Sequence, residues 1–254
     1  MTSCPRAAAS SVVRRPVGPF APKTTSFIAW PRPETAGRRE PPLSRSRITE
    51  GAVELLDAEG IEQLTMRRLA EHLGVGTTTL YWHVDTKDDV IDLAVDAIFG
   101  EAPVPATHTD DWRADIGTLL TGWRETMLSH RWLAVLPSRQ RPSLGPNYLA
   151  WMEFLRATAV RAGFTGQAVP AATWVLVSHV QGSATSQASV HWPVDERQAA
   201  QERLRADRDL YPTLADQDYL LDNSWTENFV LGLKYVLDGL AANLDVQSGL
   251  GGSH

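Results

Sequence analysis

The stretch that most restricts the fold runs from Thr65 to Val84, TMRRLAEHLGVGTTTLYWHV, which a glycine-containing turn divides into two short helical pieces. Thr65 suits an N-cap, since its hydroxyl accepts a free backbone N–H of the first turn. Met66, Leu69, Ala70 and Leu73 then recur at helical spacing, opposite a polar face of Arg67, Arg68, Glu71 and His72. Gly74 stands where the first piece must stop, because glycine takes the left-handed C′ conformation without a Cβ penalty. Val75 plugs the turn, Thr77 or Thr78 is placed to cap the second piece, and Leu80 points that piece back at the first.

Two short helices joined by such a turn describe a helix-turn-helix, whose second helix lies in the DNA major groove. The outer face of that second helix carries Thr77, Thr78, Thr79, Tyr81 and His83, with Lys87 just beyond and Trp82 assigned to core packing. Short hydroxyl side chains permit close approach, and a threonine methyl packs on a thymine methyl. Spacing alone leaves a generic helical hairpin with a solvated threonine face equally open.

The residues themselves favour the DNA-binding reading. LTMRRLAEHLGV followed by TLYWHV resembles the DNA-binding domain of the tetracycline-repressor (TetR) family, and AVELLDAEGIEQLT and TKDDVIDLAVDAI extend the likeness over about residues 44–99. The resemblance implies an all-α fold: a three-helix DNA-binding domain over residues 44–104, with its motif at 65–84, then a helical effector-binding and dimerisation domain over 105–246. Residues 247–254 are left as a flexible tail.

The net charge of −6 excludes a uniformly basic nucleic-acid binder, so contact with DNA has to be focal. Cys4 is the sole cysteine, which rules out an internal disulfide and suits a cytoplasmic protein. No apolar run approaches the eighteen or so residues that a membrane span needs. Residues 1–43 hold eight of the 16 prolines and seven arginines and lysines against two glutamates, which reads as a disordered basic arm. It fits an added set of phosphate contacts, a transit-peptide-like leader, or a segment upstream of the true start.

Ile48, Ala52, Leu55 and Leu56 define a first helix over residues 45–59 that Gly60 ends, with Arg45 and Arg47 as phosphate contacts and Glu50, Glu54, Asp57 and Glu59 facing solvent. Thr86-x-x-Asp89 is a capping box opening a fourth helix, which Gly100, Pro103 and Pro105 close. Further helical stripes carry Trp112, Trp123 and Met127, then Trp151, Met152 and Leu155, then Trp174, Val177, His179 and Val180 after Pro170. Residues 195–208 are dense in charge, an exposed helix or a loop. The last helix, over 224–244, presents Trp225, Phe229, Gly232, Leu233, Val236 and Leu240 as a broad apolar face, and FVLGLKYVLDGL resembles the closing dimer-forming helix of the family.

Carried over residue by residue, the resemblance implies DNA contacts from Arg67, Thr77, Thr78, Thr79, Tyr81, His83 and Lys87. Arg67 and Thr79 are candidates for base edges; Thr65, Tyr81, His83 and Lys87, together with Arg45, hold phosphates and set register. The partners implied are a palindromic double-stranded operator, a second copy of the chain, and a small effector that releases the DNA. An activator, or a regulator without an effector, is the alternative. Trp123, Met127, Trp151, Trp174 and His179, on stripes expected to face inward, are the candidate lining of a roomy aromatic pocket. Where the tetracycline repressor has two ligand-contacting histidines, this chain has Pro137 and Pro103; proline cannot hold Mg²⁺, so a metal-free aromatic or polycyclic effector is expected, with no metal or cofactor. No HExxH, CxxC, glycine-rich phosphate loop or carboxylate pair points to an enzyme.

Overall fold

The computed structural model describes residues 42–136 and 144–250, with side chains to Leu244; most of the proline-rich arm, Pro137 and residues 251–254 lie outside the described residues. The described chain is helical throughout, with no strand. In order the helices are α1 (Arg45–Glu59), α2 (Met66–His72), α3 (Thr77–Tyr81), α4 (Lys87–Glu101), α5 (Trp112–Ser129), α6 (Arg131–Ala134), α7 (Pro146–Arg161), α8 (Ala168–Ser189), α9 (Val194–Ala206), α10 (Pro212–Asp216) and α11 (Trp225–Leu250).

Local chemistry sets most boundaries. Ser44 caps α1 and Thr65 caps α2, each accepting the N–H three residues on, and Thr86 and Asp89 close a reciprocal capping box on α4. After α2 the N–H of Gly74 reaches Glu71 and that of Val75 reaches Ala70, a Schellman closure that requires the φ of +67° at Gly74. The cap of α3 differs from the expectation: Gly76 occupies it with no side-chain bond, so neither Thr77 nor Thr78 is spent there. Gly100 lies one residue before the end of α4, and Asn147 at the start of α7 packs where its Cβ would stand, 3.0 Å away. At the other terminus α11 runs on to Leu250, three residues past the point where the tail was expected to begin to fray.

One hydrophobic core runs without a break from Ile48 on α1 through Ile98 on α4, Leu120 on α5 and Leu176 on α8 to Leu237 on α11. The reading head and the helical domain behind it therefore share an interior. Within it α5 packs on α8, α8 on α11, and α4 on both α1 and α7. Polar links, one of them open to solvent, also join these helices. Arg113 on α5 pairs with Asp238 on α11, and the Thr185 hydroxyl on α8 donates to the Ala134 carbonyl at 2.6 Å.

The last helix turns a different stripe outward from the one expected. Phe229 and Leu233 are 2% and 5% exposed against the chain's own α8, and Gly232 admits His179, whose Cε1 stands 2.7 Å from where a Cβ would be. Trp225, Val236 and Leu240 are half-buried on the same side. The apolar residues left uncovered are Val230, Leu231 and Tyr235. The reason is geometric: α8 already needs a lid, and the stripe richest in large apolar groups closes it.

Candidate nucleic-acid interface and effector core

On α3 only Leu80 is buried; Thr77, Thr78, Thr79 and Tyr81 all face out. A five-residue helix pinned by one leucine presents everything else to a partner. Trp82, expected in the core, is 82% exposed and extends this surface. The tight turn after α3 puts its side chain beyond the reach of Leu80's packing neighbours.

The cations around α3 are not equally available. Arg67 is exposed and bonded to Glu71 at 2.8 Å; that hydrogen bond, with the glutamate's charge, raises its pKa. Arg68, expected to be solvated, pairs with Glu59 and donates to Gln63. Arg47 donates to the Leu73 carbonyl at 3.0 Å, a strut between α1 and the end of α2. Lys87 is half-buried with its amine on the Ile61 carbonyl, 3.1 Å away. The hydroxyl of Thr65 accepts from Arg68 N and keeps its own proton to donate. Arg45 is exposed and lines, together with His83, Asp85, Asp89, Asp92 and Asp96, a cleft of about 370 Å³. Among the described residues, positive charge at the reading face is therefore sparse and flanked by acid.

Behind the head, Trp123, Met127 and Trp151 converge as expected, and all are buried. None of them lines a cavity described for this chain. Phe99 of α4 stacks on Trp123 with ring centroids 3.8 Å apart, and Tyr148 and Trp151 meet Phe99 edge-on at 5.1 and 5.7 Å. Trp151 is 1% exposed, yet its indole N–H has no acceptor. The other two candidates lie elsewhere. His179 stacks on Phe229 and bonds its carbonyl at 3.1 Å, between α8 and α11. Trp174, expected to face inward, is 76% exposed, because α8 buries Ala172, Thr173, Leu176 and Val180 instead. Pro103 packs at the position where a Cβ on Gly122 would stand, 2.8 Å away.

Sequence reasoning missed the group that joins head and core. His130, between α5 and α6, bonds both Asp57 oxygens at 2.9 and 3.0 Å and Glu101 at 3.0 Å, while Trp132 donates to Asp57 at 2.8 Å. Asp57 is exposed, as expected, and also serves as the acceptor that links the head to the helical domain. Burial works against the charged imidazole, but the bonds from Asp57 and Glu101 outweigh it and raise its pKa. The partners are 73 and 29 residues apart in the chain, so no local pattern announces them. Phe99 did carry a faint signal, an aromatic next to the α4 stripe and facing a helix with two tryptophans.

Comparison with known proteins agrees with this geometry. Residues 48–94 match the family model of bacterial regulatory proteins of the tetR family, and residues 104–244 match that of the tetracyclin repressor-like C-terminal domain. The chain is similar to an HTH-type transcriptional regulator of Saccharopolyspora erythraea, 42% identical over 221 residues, covering 86% of this chain and 93% of the relative. It is also similar to the HTH-type transcriptional repressor DrrR1 of Streptomyces coeruleorubidus, 31% identical over 222 residues, 79% of this chain and 78% of the relative. Among solved structures, ActR of Streptomyces coelicolor in complex with (S)-DNPA superposes with a TM-score of 0.71 at 29% identity, covering 80% of this chain and all of that one.

Proposed function

The chain belongs to the TetR family of transcriptional regulators, and on that premise we propose that it is a homodimeric repressor released from a palindromic operator by a small aromatic molecule. As a member of that family it is a DNA-binding transcription factor and not an enzyme. The observation that carries the reading is α3, which spends one leucine on the core and leaves three threonines and a tyrosine facing outward. Thr79 and Arg67 read base edges once Arg67 leaves Glu71; Thr65, Thr77, Thr78, Tyr81, His83, Arg45 and Lys87 hold the backbone and fix register. Two such heads read half-sites about 34–36 Å apart, or a multiple of it, on one face of the duplex.

Dimerisation in this reading uses what α8 and α11 leave uncovered, Trp174 and Val175 with Val230, Leu231 and Tyr235. A two-fold axis buries the same patch twice. The effector enters the cluster of Trp123, Met127 and Trp151 by parting Phe99 from Trp123. Its acceptor group takes the Trp151 N–H, which now has none. Because Phe99 belongs to α4, and α4 packs on α1, displacing that ring moves the head. ActR in its complex with (S)-DNPA supports a small-molecule ligand, and Pro103 supports one held without metal.

The test is a mobility shift on duplex covering the DNA around the chain's own gene, with salt varied. Saturable binding that weakens as salt rises is expected. Replacing both Tyr81 and His83 by alanine should abolish it while sedimentation still shows a dimer. Operator binding retained by that variant would overturn the assignment of the head.

A further inference from the structure

A second cavity lies far along the chain from the aromatic cluster, where the end of α8, the start of α9 and the start of α11 meet. It measures about 410 Å³, and Trp192, Tyr219 and Trp225 supply its aromatic walls. That volume is within the range of small-molecule sites and suits two or three fused rings. No residue of the Phe99, Trp123, Tyr148 and Trp151 cluster lines it.

Its charge is unusual for an acidic chain. Arg197 lines the cavity, and its Nε is buried without an acceptor; its Nη1 donates only to the Asn223 amide oxygen at 2.8 Å. Behind the wall stands Arg124, 3% exposed. It donates to the Ser183 hydroxyl, the Gln187 amide oxygen and the carbonyl of Trp225, and lies 4.9 Å from the Phe229 ring centroid. All of these acceptors are neutral. By contrast Arg67, Arg68, Arg113, Arg205 and Arg208 each sit on a carboxylate. Arg124, buried with no carboxylate bonded to it and only the charge of the neighbouring Glu125 acting on it, is costly to hold, and interiors ordinarily pair such a cation directly. Asp222, the acid on the cavity wall, has one oxygen on Ser224 N and the other on the Asn228 amide. Arg197 thus shares the cavity wall with one carboxylate that does not bond it, and Arg124 stands behind that wall bonded to no acid.

We propose that this cavity binds a small planar aromatic acid, its rings between Trp192, Tyr219 and Trp225 and its carboxylate on the guanidinium of Arg197. Arg124 supplies a second positive charge from behind Trp225 and touches the ligand only through the field. The site is separate from the core in which the releasing effector is placed above, so it stands whether or not that placement holds.

The test is calorimetric titration of the full chain with three probes that share one ring system: anthraquinone-2-carboxylate, its carboxamide and the 2-aminomethyl analogue. Bonds to a charged partner should make the acid at least roughly tenfold tighter than the amide. Arg197→Gln should erase that preference, and Trp151→Phe should leave it intact. Equal affinity of acid and amide, tighter binding of the amine, or no acid binding at millimolar concentration would each overturn the proposal. So would acid affinity that follows Trp151→Phe and ignores Arg197→Gln, which would put the acid in the core. Operator binding measured on the same preparations reports on the DNA-binding reading separately.

Discussion

Replacing His130 with glutamine removes a charge that ties three elements together, the end of α1, the end of α4 and the α5–α6 junction. The ring is 12% exposed, whereas Asp57 is 35% and Glu101 54% exposed, so the two contacts differ in worth. The sheltered bonds to Asp57 should contribute about 1.5–2 kcal/mol as charge-assisted hydrogen bonds. The open Glu101 contact, screened by solvent, should add about 0.5 kcal/mol. The sign follows from the raised pKa: protonation favours the folded state. The contribution is complete below the unfolded histidine value of about 6.5 and is lost as pH climbs through the higher folded value. Thermal melts of parent and His130→Gln, from pH 5.5 to 9 at constant ionic strength, should therefore differ most in acid. The gap there is roughly 4–10 °C for a chain of this size and should narrow steadily toward pH 9. A gap that stays constant across that range would show that His130 stabilises by shape alone and would refute the charge argument.

Three other outcomes follow from the same structure. Glu71→Gln frees Arg67 and removes a negative charge from the reading face, so operator affinity should rise roughly two- to fivefold at low salt and the gain should fade at high salt. Leu80→Ala empties the single anchor of α3 and should cost about 2–5 kcal/mol in a denaturant titration, with operator binding lost as well. Tyr235→Glu should shift sedimentation toward monomer with little change in protomer stability, whereas Phe229→Ala should cost about 3–5 kcal/mol of folding stability. The reverse pattern would restore Phe229 to the subunit surface.

Helix boundaries were largely legible in the sequence because they are set by neighbours in the chain. Thr65 caps the N–H three residues on, Gly74 takes the only backbone geometry that ends α2, and Thr86 with Asp89 completes a capping box within four residues. The buried trio of Trp123, Met127 and Trp151 was legible as well, since a stripe of large apolar side chains has to find an interior. Which stripe is the innermost was not. Trp174 and Phe229 both sit on apolar helical faces; the helix that arrives alongside covers Phe229 and leaves Trp174 in the open.

Polar partners show the same division. Arg67 with Glu71, one turn apart, is written in the chain, while His130 with Asp57 and Glu101 exists only once α1, α4 and α5 are assembled. The sequence alone determined an all-helical chain with two short helices about a glycine turn, because caps, turns and periodicity act over a few residues; that this pair is the head of a regulator came from the resemblance of LTMRRLAEHLGV and TLYWHV to the TetR family. Tertiary structure alone decided which cations stay free, which aromatics stack and where two arginines are left without an acid. Those outcomes depend on distances between residues that the chain keeps far apart until the core closes.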